Sequence, residues 1–331
     1  MQIYMSKNKL VYLTKCIIPV ALIFFKFFLI FYPREAISAS REGLLLWFNN
    51  VLPSLLPFMV AVNIMVGLGF VRVLSKAFTP FMKFLFNLPG AGGFVLLTGL
   101  TSGYPMGAKT VADLYESGEI NKREAQHLLG FCNNAGPLFI VGVVGVGMLG
   151  NRHAGYLLWV GHVVTAIVMG VMLRFFNGQA DSQSNFYSDS HLMKKRISQV
   201  KLNDKNTPTI GKVLGDSVKN SVESITFVGG LIIFFCVVLQ AISVVVPTGV
   251  LPIFAGVLEI TNGAKTAASS AGAAGFAAVA FVIGFGGMSV HAQALHFLSG
   301  TDLCVRRYLA AKLLHGFLAA SVAVFLWRFV A

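Results

Sequence analysis

Charge is scarce in this sequence, and negative charge scarcest. Asp and Glu number 13 in 331 residues against 26 Lys and Arg, and charged residues make up 12% of the chain. Soluble domains carry about 25% charged residues, so an ordinary water-soluble globule is excluded. A hydrophobic content of 56% excludes a disordered chain as well. Cysteine is equally sparse. Cys16, Cys132, Cys236 and Cys304 stand far apart, with no CxxC spacing and no neighbouring His/Cys ligand set, which argues against both a disulfide framework and a zinc site. Catalytic signatures are missing too: the sequence has no HExxH, no GxSxG, no phosphate-binding P-loop and no paired carboxylates on one apolar helix face. The expectation is a protein that is not an enzyme, with no catalytic residues, metal or cofactor.

What the chain does have is apolar sequence along nearly its whole length, with a mean hydropathy of +0.74. Each membrane span uses about 20 residues, so the pattern predicts one all-α polytopic membrane protein rather than two soluble domains. The formal charge of +13 would suggest nucleic acid in a soluble protein. Here the excess Lys and Arg flank apolar runs, where they retain cytoplasmic loops and meet anionic headgroups. The expected partner is the lipid bilayer, with no nucleic acid.

Along the chain, residues 10–32 read as a first, uncleaved span interrupted by Lys15, Pro19 and Lys26. Residues 35–50, ending near Trp47, read as an interfacial helix. An apolar run with Pro53 and Pro57 covers 51–70, and the Phe-rich stretch 72–88 with Lys76 and Lys83 suits the interface plane. Residues 90–101 are only half a span long before Ser102-Gly103-Tyr104-Pro105 breaks the helix. Asn121 and Glu124 have capping-box spacing, which predicts a helix from Lys122 toward Cys132. It meets a second break at Asn133-Asn134-Ala135-Gly136-Pro137, then another half-span to Leu149 and a full span from His153 to Phe176. Residues 177–208 are the long polar segment. Arg174 to Lys219 holds eight Lys/Arg and four Asp/Glu, which places this loop in the cytoplasm.

The second half repeats the style of the first. An amphipathic approach (Lys212–Ser224) leads to a span from Ile225 to Val246; short apolar pieces surround Glu259 to Thr266; a Gly/Ala-rich helix runs from Ala271 toward Gly284-Phe285-Gly286-Gly287; Arg307–Trp327 forms a last span. Gly-Ala-Lys-Thr occurs at Gly107–Thr110 and again at Gly263–Thr266, each beside a break. Each copy is followed, 24 to 29 residues after its first glycine, by a second Gly-containing break at Gly136 or Gly287. Interrupted hydrophobic segments in matching positions of two halves point to a transporter site. The expected organisation is an N-terminal transmembrane helix (1–34), repeat 1 (35–176), a polar loop (177–208) and repeat 2 (209–331). The two repeats are expected to be pseudo-symmetric and inverted, built from broken helices or re-entrant hairpins.

Backbone that leaves the helix within hydrocarbon exposes amides that lipid cannot satisfy, so such breaks persist where protein, water or substrate supplies partners. The ends of resuming helices favour an anion. The residues placed at these breaks are Ser102, Tyr104, Lys109, Asn133, Asn134, Gly136, Glu259, Asn262, Lys265, Ser289, His291 and Gln293, with Glu259 the one carboxylate close to them. That balance predicts a small organic anion, with Lys109 and Lys265 each holding one carboxylate. Against this stand plainer readings: glycines that serve helix packing, and Lys109 and Lys265 snorkelling to headgroups. His153, His162, His296 and His315 read as interfacial or packing residues, and Asp113, Glu116 and Glu119 as a solvated helix end.

Within residues 101–151, the elements SGYPMGAK (Ser102–Lys109) and Asn133-Asn134-Ala135-Gly136-Pro137-Leu138 resemble the sporulation integral membrane proteins called YlbJ, also SpoVV. The likeness in layout covers roughly residues 40–330. The resemblance implies a nucleoside-recognition Gate domain and distant kinship with concentrative nucleoside transporters. It also implies that the chain moves dipicolinate, pyridine-2,6-dicarboxylate, across the outer forespore membrane during sporulation. The nucleoside carriers have a Gln-Thr-Glu-like triplet, an Asn-Glu pair and a Gly-Phe-x-Asn-Phe-Ser-Ser-like element. Here the corresponding positions read Ser102-Gly103-Tyr104, Leu258-Glu259 and Gly284-Phe285-Gly286-Gly287-Met288-Ser289. These departures turn the expectation from nucleoside toward anion. The alternatives are a nucleoside or other small-solute carrier, and a non-transporting scaffold for sporulation proteins. Association as a homo-oligomer or with other sporulation membrane proteins stays open.

Overall fold

The computed structural model describes residues 19–176, 209–270 and 272–330. The expected start of the first span and the polar 177–208 loop lie outside the described residues. All regular structure among the described residues is helical. Among the described residues, five helical stretches are long and apolar enough to cross a membrane: Pro33–Gly67, Arg152–Phe175, Ile210–Ser243, Gly272–Leu298 and Val305–Phe329. A bent pair, Val73–Phe86 with Ala91–Ser102, adds a sixth if it counts as one broken span.

The chain opens with α1 (Pro19–Phe31), whose Ile23, Phe27, Ile30 and Phe31 are exposed as lipid-facing side chains would be. Helix α2 (Pro33–Leu46) runs through a π-helical turn at Trp47–Val51 into α3 (Leu52–Gly67). The interfacial helix expected over 35–50 is therefore the first half of a continuous 35-residue stretch. The reason is its small-residue face. Ala36, Ala39 and Gly43 are buried, and a Cβ on Gly43 would stand 2.9 Å from the Ile233 Cα, so this stripe seats directly on the backbone of α9 (Ile210–Ser243). Trp47 adds a specific tie, its indole N–H donating to the Ile225 carbonyl at 3.0 Å. Helix α9 likewise merges the amphipathic approach and the following span into one 34-residue helix.

Helix α4 (Phe70–Phe86) ends at Asn87 in the left-handed region (φ 54°), and α5 (Ala91–Ser102) leaves at 87° to it. Next come α6 (Met106–Glu116), α7 (Lys122–Cys132), a π-helical segment Leu138–Met148, and the long α8 (Arg152–Phe176). The capping box at α7 forms as its spacing predicts. Asn121 accepts from the Glu124 amide at 3.0 Å, and the Glu124 carboxylate accepts from the Asn121 amide at 2.8 Å.

The second half follows α9 with α10 (Leu251–Leu258), α11 (Ile260–Ala268), α12 (Gly272–Phe285), α13 (Gly287–Leu298) and α14 (Val305–Leu326). The order short helix, break, short helix, helix, break, half-span, long helix thus occurs twice, over α5–α8 and over α10–α14. The two halves do not pack as separate bodies. Tyr104, Ala135 and Ile140 of the first share a core with Phe276, Ile283 and Ala319 of the second, while Ala294, Tyr308 and Ala311 of the second are buried with Phe131, Cys132 and Leu129 of the first.

Candidate functional site

The interruptions in the apolar helices fall at Gly103–Pro105, Asn133–Pro137, Glu259 and Gly286, and they meet one another. The first touches the second: a Cβ on Gly103 would lie 2.7 Å from the Gly136 nitrogen, and one on Gly107 would lie 2.2 Å from the Cys132 carbonyl oxygen. The third touches the fourth, since a Cβ on Gly287 would stand 3.2 Å from the Ile260 nitrogen. Tyr104 joins the pairs. Its hydroxyl donates to the Ile283 carbonyl at 3.1 Å, an acceptor that loses its usual partner four residues on because α12 stops at Phe285. Gly286 (φ 94°) lies against the same Tyr104 ring.

Each break satisfies part of its freed backbone with its own side chains. Asn133, the C-cap of α7, accepts the Ala108 amide on Oδ1 at 3.3 Å and donates from Nδ2 to the Tyr308 hydroxyl at 2.9 Å. Asn134 donates to the Phe131 carbonyl at 2.8 Å. Glu259 caps α11, its Oε2 accepting from the Thr261 and Asn262 amides at 3.0 and 2.8 Å. The break therefore falls at Glu259, three residues ahead of Asn262, which lies in the first turn of α11. Amides at the starts of α6 and α11 that the sequence offers to an anion are thus taken up by Asn133 and Glu259. The start of α13 carries no side-chain cap.

At the crossing sits a residue that the sequence reading missed. Lys312 on α14 is completely buried. Its Nζ donates to the Asn133 carbonyl at 2.8 Å, lies 3.1 Å from His315 Nδ1, and stands 5.1 Å from the centre of the Tyr104 ring. Among the described residues the ion pairs are Lys109–Asp113, Lys122–Asp302 and Lys265–Glu42, so no carboxylate pairs with Lys312. His315 and His162, expected to be packing or interfacial, belong to this cluster. Their rings stack with centroids 4.7 Å apart, His315 Nε2 meets the Thr165 hydroxyl at 3.1 Å, and His162 Nε2 accepts the Ala135 amide at 3.2 Å. His296 does pack, stacking on Phe227, and His153 reaches the Phe329 carbonyl. The signal for Lys312 was legible as the one formal charge in the largely apolar Leu309–Ala323 run, three residues before His315, and a charge at bilayer depth marks a functional site.

Of the residues placed at the breaks from sequence, Ser102, Tyr104, Asn133, Asn134, Glu259, Ser289, His291 and Gln293 are all buried, and Gly136 lies in the contact with Gly103. The two lysines are not brought to the crossing. Lys109 pairs with Asp113 at 2.7 Å one turn along α6, and Lys265 is 69% exposed with Glu42 at 3.7 Å. The shared Gly-Ala-Lys-Thr instead owes its glycines to close helix approach, Gly107 against Cys132 and Gly263 against Gly256, with the lysines pointing away.

Buried side-chain polar atoms without a partner concentrate here: Ser102 Oγ, Asn134 Oδ1, His162 Nδ1, Glu259 Oε1, Ser289 Oγ and His291 Nε2, with Trp159 Nε1 the remaining one among the described residues. Hydrogen-bond direction assigns roles to the imidazoles. The Ala135 amide occupies His162 Nε2, so the proton sits on Nδ1. Tyr308 accepts from Asn133, which leaves its own proton for His291 Nδ1 at 3.2 Å. His291 Nε2–H is then a buried donor with nothing to bond.

Comparison with known proteins gives two matches. The family model described as Gate, nucleoside recognition, matches residues 48–151, which include the first two breaks. The chain is 35% identical over 331 aligned positions to the sporulation integral membrane protein YlbJ of Bacillus subtilis (strain 168), covering 90% of this chain and 79% of that protein. No solved structure matches the chain.

Proposed function

This chain belongs to the family of the sporulation integral membrane protein YlbJ, and from that premise we propose that it is a carrier for a small organic anion, with Lys312 as the counter-charge. Its integral-membrane character fits the apolar spans among its described residues. The single observation that carries the proposal is a fully buried lysine without a carboxylate partner where the helix breaks meet. A buried ammonium costs several kcal/mol unless it is paired, and an anion arriving at the crossing supplies the pair. Unpartnered buried donors, Ser102 Oγ at the end of α5 and Ser289 Oγ and His291 Nε2–H on α13, lie on or beside the breaks.

Among small anions we favour dipicolinate, in line with the YlbJ resemblance of Ser102–Lys109, acting at the outer forespore membrane. The pyridine carries two carboxylates; Lys312 takes one, and the uncapped start of α13 with Ser289 and His291 suits the other. In a carrier of this kind the two halves act as inverted repeats rocking about the crossing. Binding is the first test. Dipicolinate at about 100 times its dissociation constant should stabilise the purified protein by about 2.7 kcal/mol, read as a rise in thermal midpoint. The rise should vanish in a Lys312→Met variant. A rise that persists undiminished in that variant removes Lys312 from the site.

A second reading has one observation in its favour. The Gate model describes nucleoside recognition, which suits a neutral solute held by Asn, Ser and Tyr side chains. Uptake of labelled nucleoside into proteoliposomes, uncompeted by dipicolinate, would decide for it.

A further inference from the structure

Resting on the anion reading, we infer that loading this carrier adds a proton to it: each anion bound is accompanied by protonation of the Lys312 amine, so that anion and proton cross together. The argument begins with what faces Lys312 from each packed element. On its own helix stands His315, 3.1 Å away. From α8 comes His162, stacked on His315. From the ends of α5 and α7 come the Tyr104 ring, the buried thiol of Cys132 and the Asn133 carbonyl. Tyr308 and His291 complete the neighbourhood, and α12 contributes no titratable side chain. All of these are neutral or can only become cationic, apart from the weakly acidic phenols and thiol. The empty site therefore offers a proton on Lys312 no compensating charge, while a bound carboxylate offers a full one.

The hydrogen bonds suit both states without moving a heavy atom. With the amine charged, Nζ donates to the Asn133 carbonyl and to the lone pair of His315 Nδ1, while His315 Nε2–H donates to the Thr165 oxygen, whose own proton goes to the Gly161 or His162 carbonyl. With the amine neutral, Nζ still donates to the Asn133 carbonyl while the other two contacts reverse: His315 Nδ1–H donates to the Nζ lone pair, and the Thr165 hydroxyl turns its proton to Nε2. One proton enters from water as the anion binds and leaves with it. No redox partner or covalent step is involved. A carrier so built returns empty without a bare ammonium in the membrane, which fixed guanidinium chemistry would not allow.

The test is dipicolinate binding to the full chain in lipid nanodiscs, by calorimetry near neutral pH in buffers of differing ionisation enthalpy. The ligand is fully ionised there, so any proton taken up goes to protein. Wild type should take up about one proton per anion bound. Lys312→Arg, if it binds, should take up none, because its charge is permanent. Binding by wild type with no proton uptake overturns the inference and leaves the anion site standing. Uptake that persists in a Lys312→Met variant still able to bind also overturns it, by placing the proton elsewhere. Absence of binding by wild type in every buffer instead removes the anion reading itself, and this inference with it.

Discussion

His291 shows how much one hydrogen-bond direction decides. Because Asn133 spends its amide on Tyr308, the imidazole is held as a buried donor through Nε2. His291→Phe keeps the ring that packs on Phe285 and Tyr308 and removes that donor. We expect dipicolinate affinity to fall about 10- to 100-fold, the cost of one hydrogen bond to a charged group, and the thermal midpoint of the empty protein to fall modestly, because the Tyr308 hydroxyl loses its Nδ1 acceptor while the unpartnered Nε2–H is also removed. Glu259 separates capping from charge. Glu259→Ala should cost about 1–2 kcal/mol by stripping the cap of α11, whereas Glu259→Gln keeps an acceptor for the Thr261 and Asn262 amides and should cost less, both read from thermal unfolding in nanodiscs. At the surface, hydrogen bonds from Lys122 and Tyr115 hold the Asp302 carboxyl below its ordinary pKa. Its contribution is present above the unfolded-state pKa and is lost as pH falls through the folded one, so Asp302→Asn should flatten the acid limb of the stability profile.

At the scale of elements, glycines set how closely the broken helices cross. A Cβ on Gly99 would lie 1.7 Å from the Cys132 carbonyl oxygen and one on Gly107 2.2 Å, whereas one on Gly230 of α9 would meet nothing within 4 Å. Gly99→Ala and Gly107→Ala must push α5 or α6 off the end of α7, and each should lower folded yield and thermal midpoint sharply, by an equivalent of about 2 kcal/mol or more. Gly230→Ala should be neutral or stabilise by up to about 1 kcal/mol through helix propensity. These same contacts explain why element boundaries were largely readable and helix mergers were not. The capping box, the Ser102–Pro105 break and the half-span lengths are local signals. That residues 35–67 form one stretch depends on Gly43 and Trp47 finding α9, about 180 residues away in sequence.

For the whole molecule, helix contacts fix which ends share a side. Gly130 lies between Leu173 near the end of α8 and Ala311 near the start of α14, while Gly161 lies against Leu326, so α8 and α14 run antiparallel. Cys304, at the start of α14, is therefore on the side of Arg174, and Arg152 is on the other. If the excess of Lys and Arg that follows α8 in the sequence is retained in the cytoplasm, as the sequence leads us to expect, Cys304 is on the inner side. The amides of Arg307 and Arg306 hold its thiol below the ordinary cysteine pKa, which favours reaction. A membrane-impermeant maleimide should label Cys304 only after the inner face is opened, and an Arg152→Cys variant from outside. The reverse pattern would invert the topology. Lys312, seven residues into α14, lies about 10 Å along that helix from the Cys304 end.

Composition and local pattern by themselves determined that this is a helical membrane protein, where its helices break, and that the breaks recur in two halves. These follow from hydrophobic run length and from residues that cannot continue a helix, and both act over a few turns. Only the tertiary structure decided which cation meets those breaks. Lys109 and Lys265 sit beside them in sequence and turn away to Asp113 and Glu42, while Lys312 arrives from the last helix. The physical reason is that a charge is committed by what lies within a few ångströms of it, and in a bundle of crossing helices those neighbours come from distant parts of the chain.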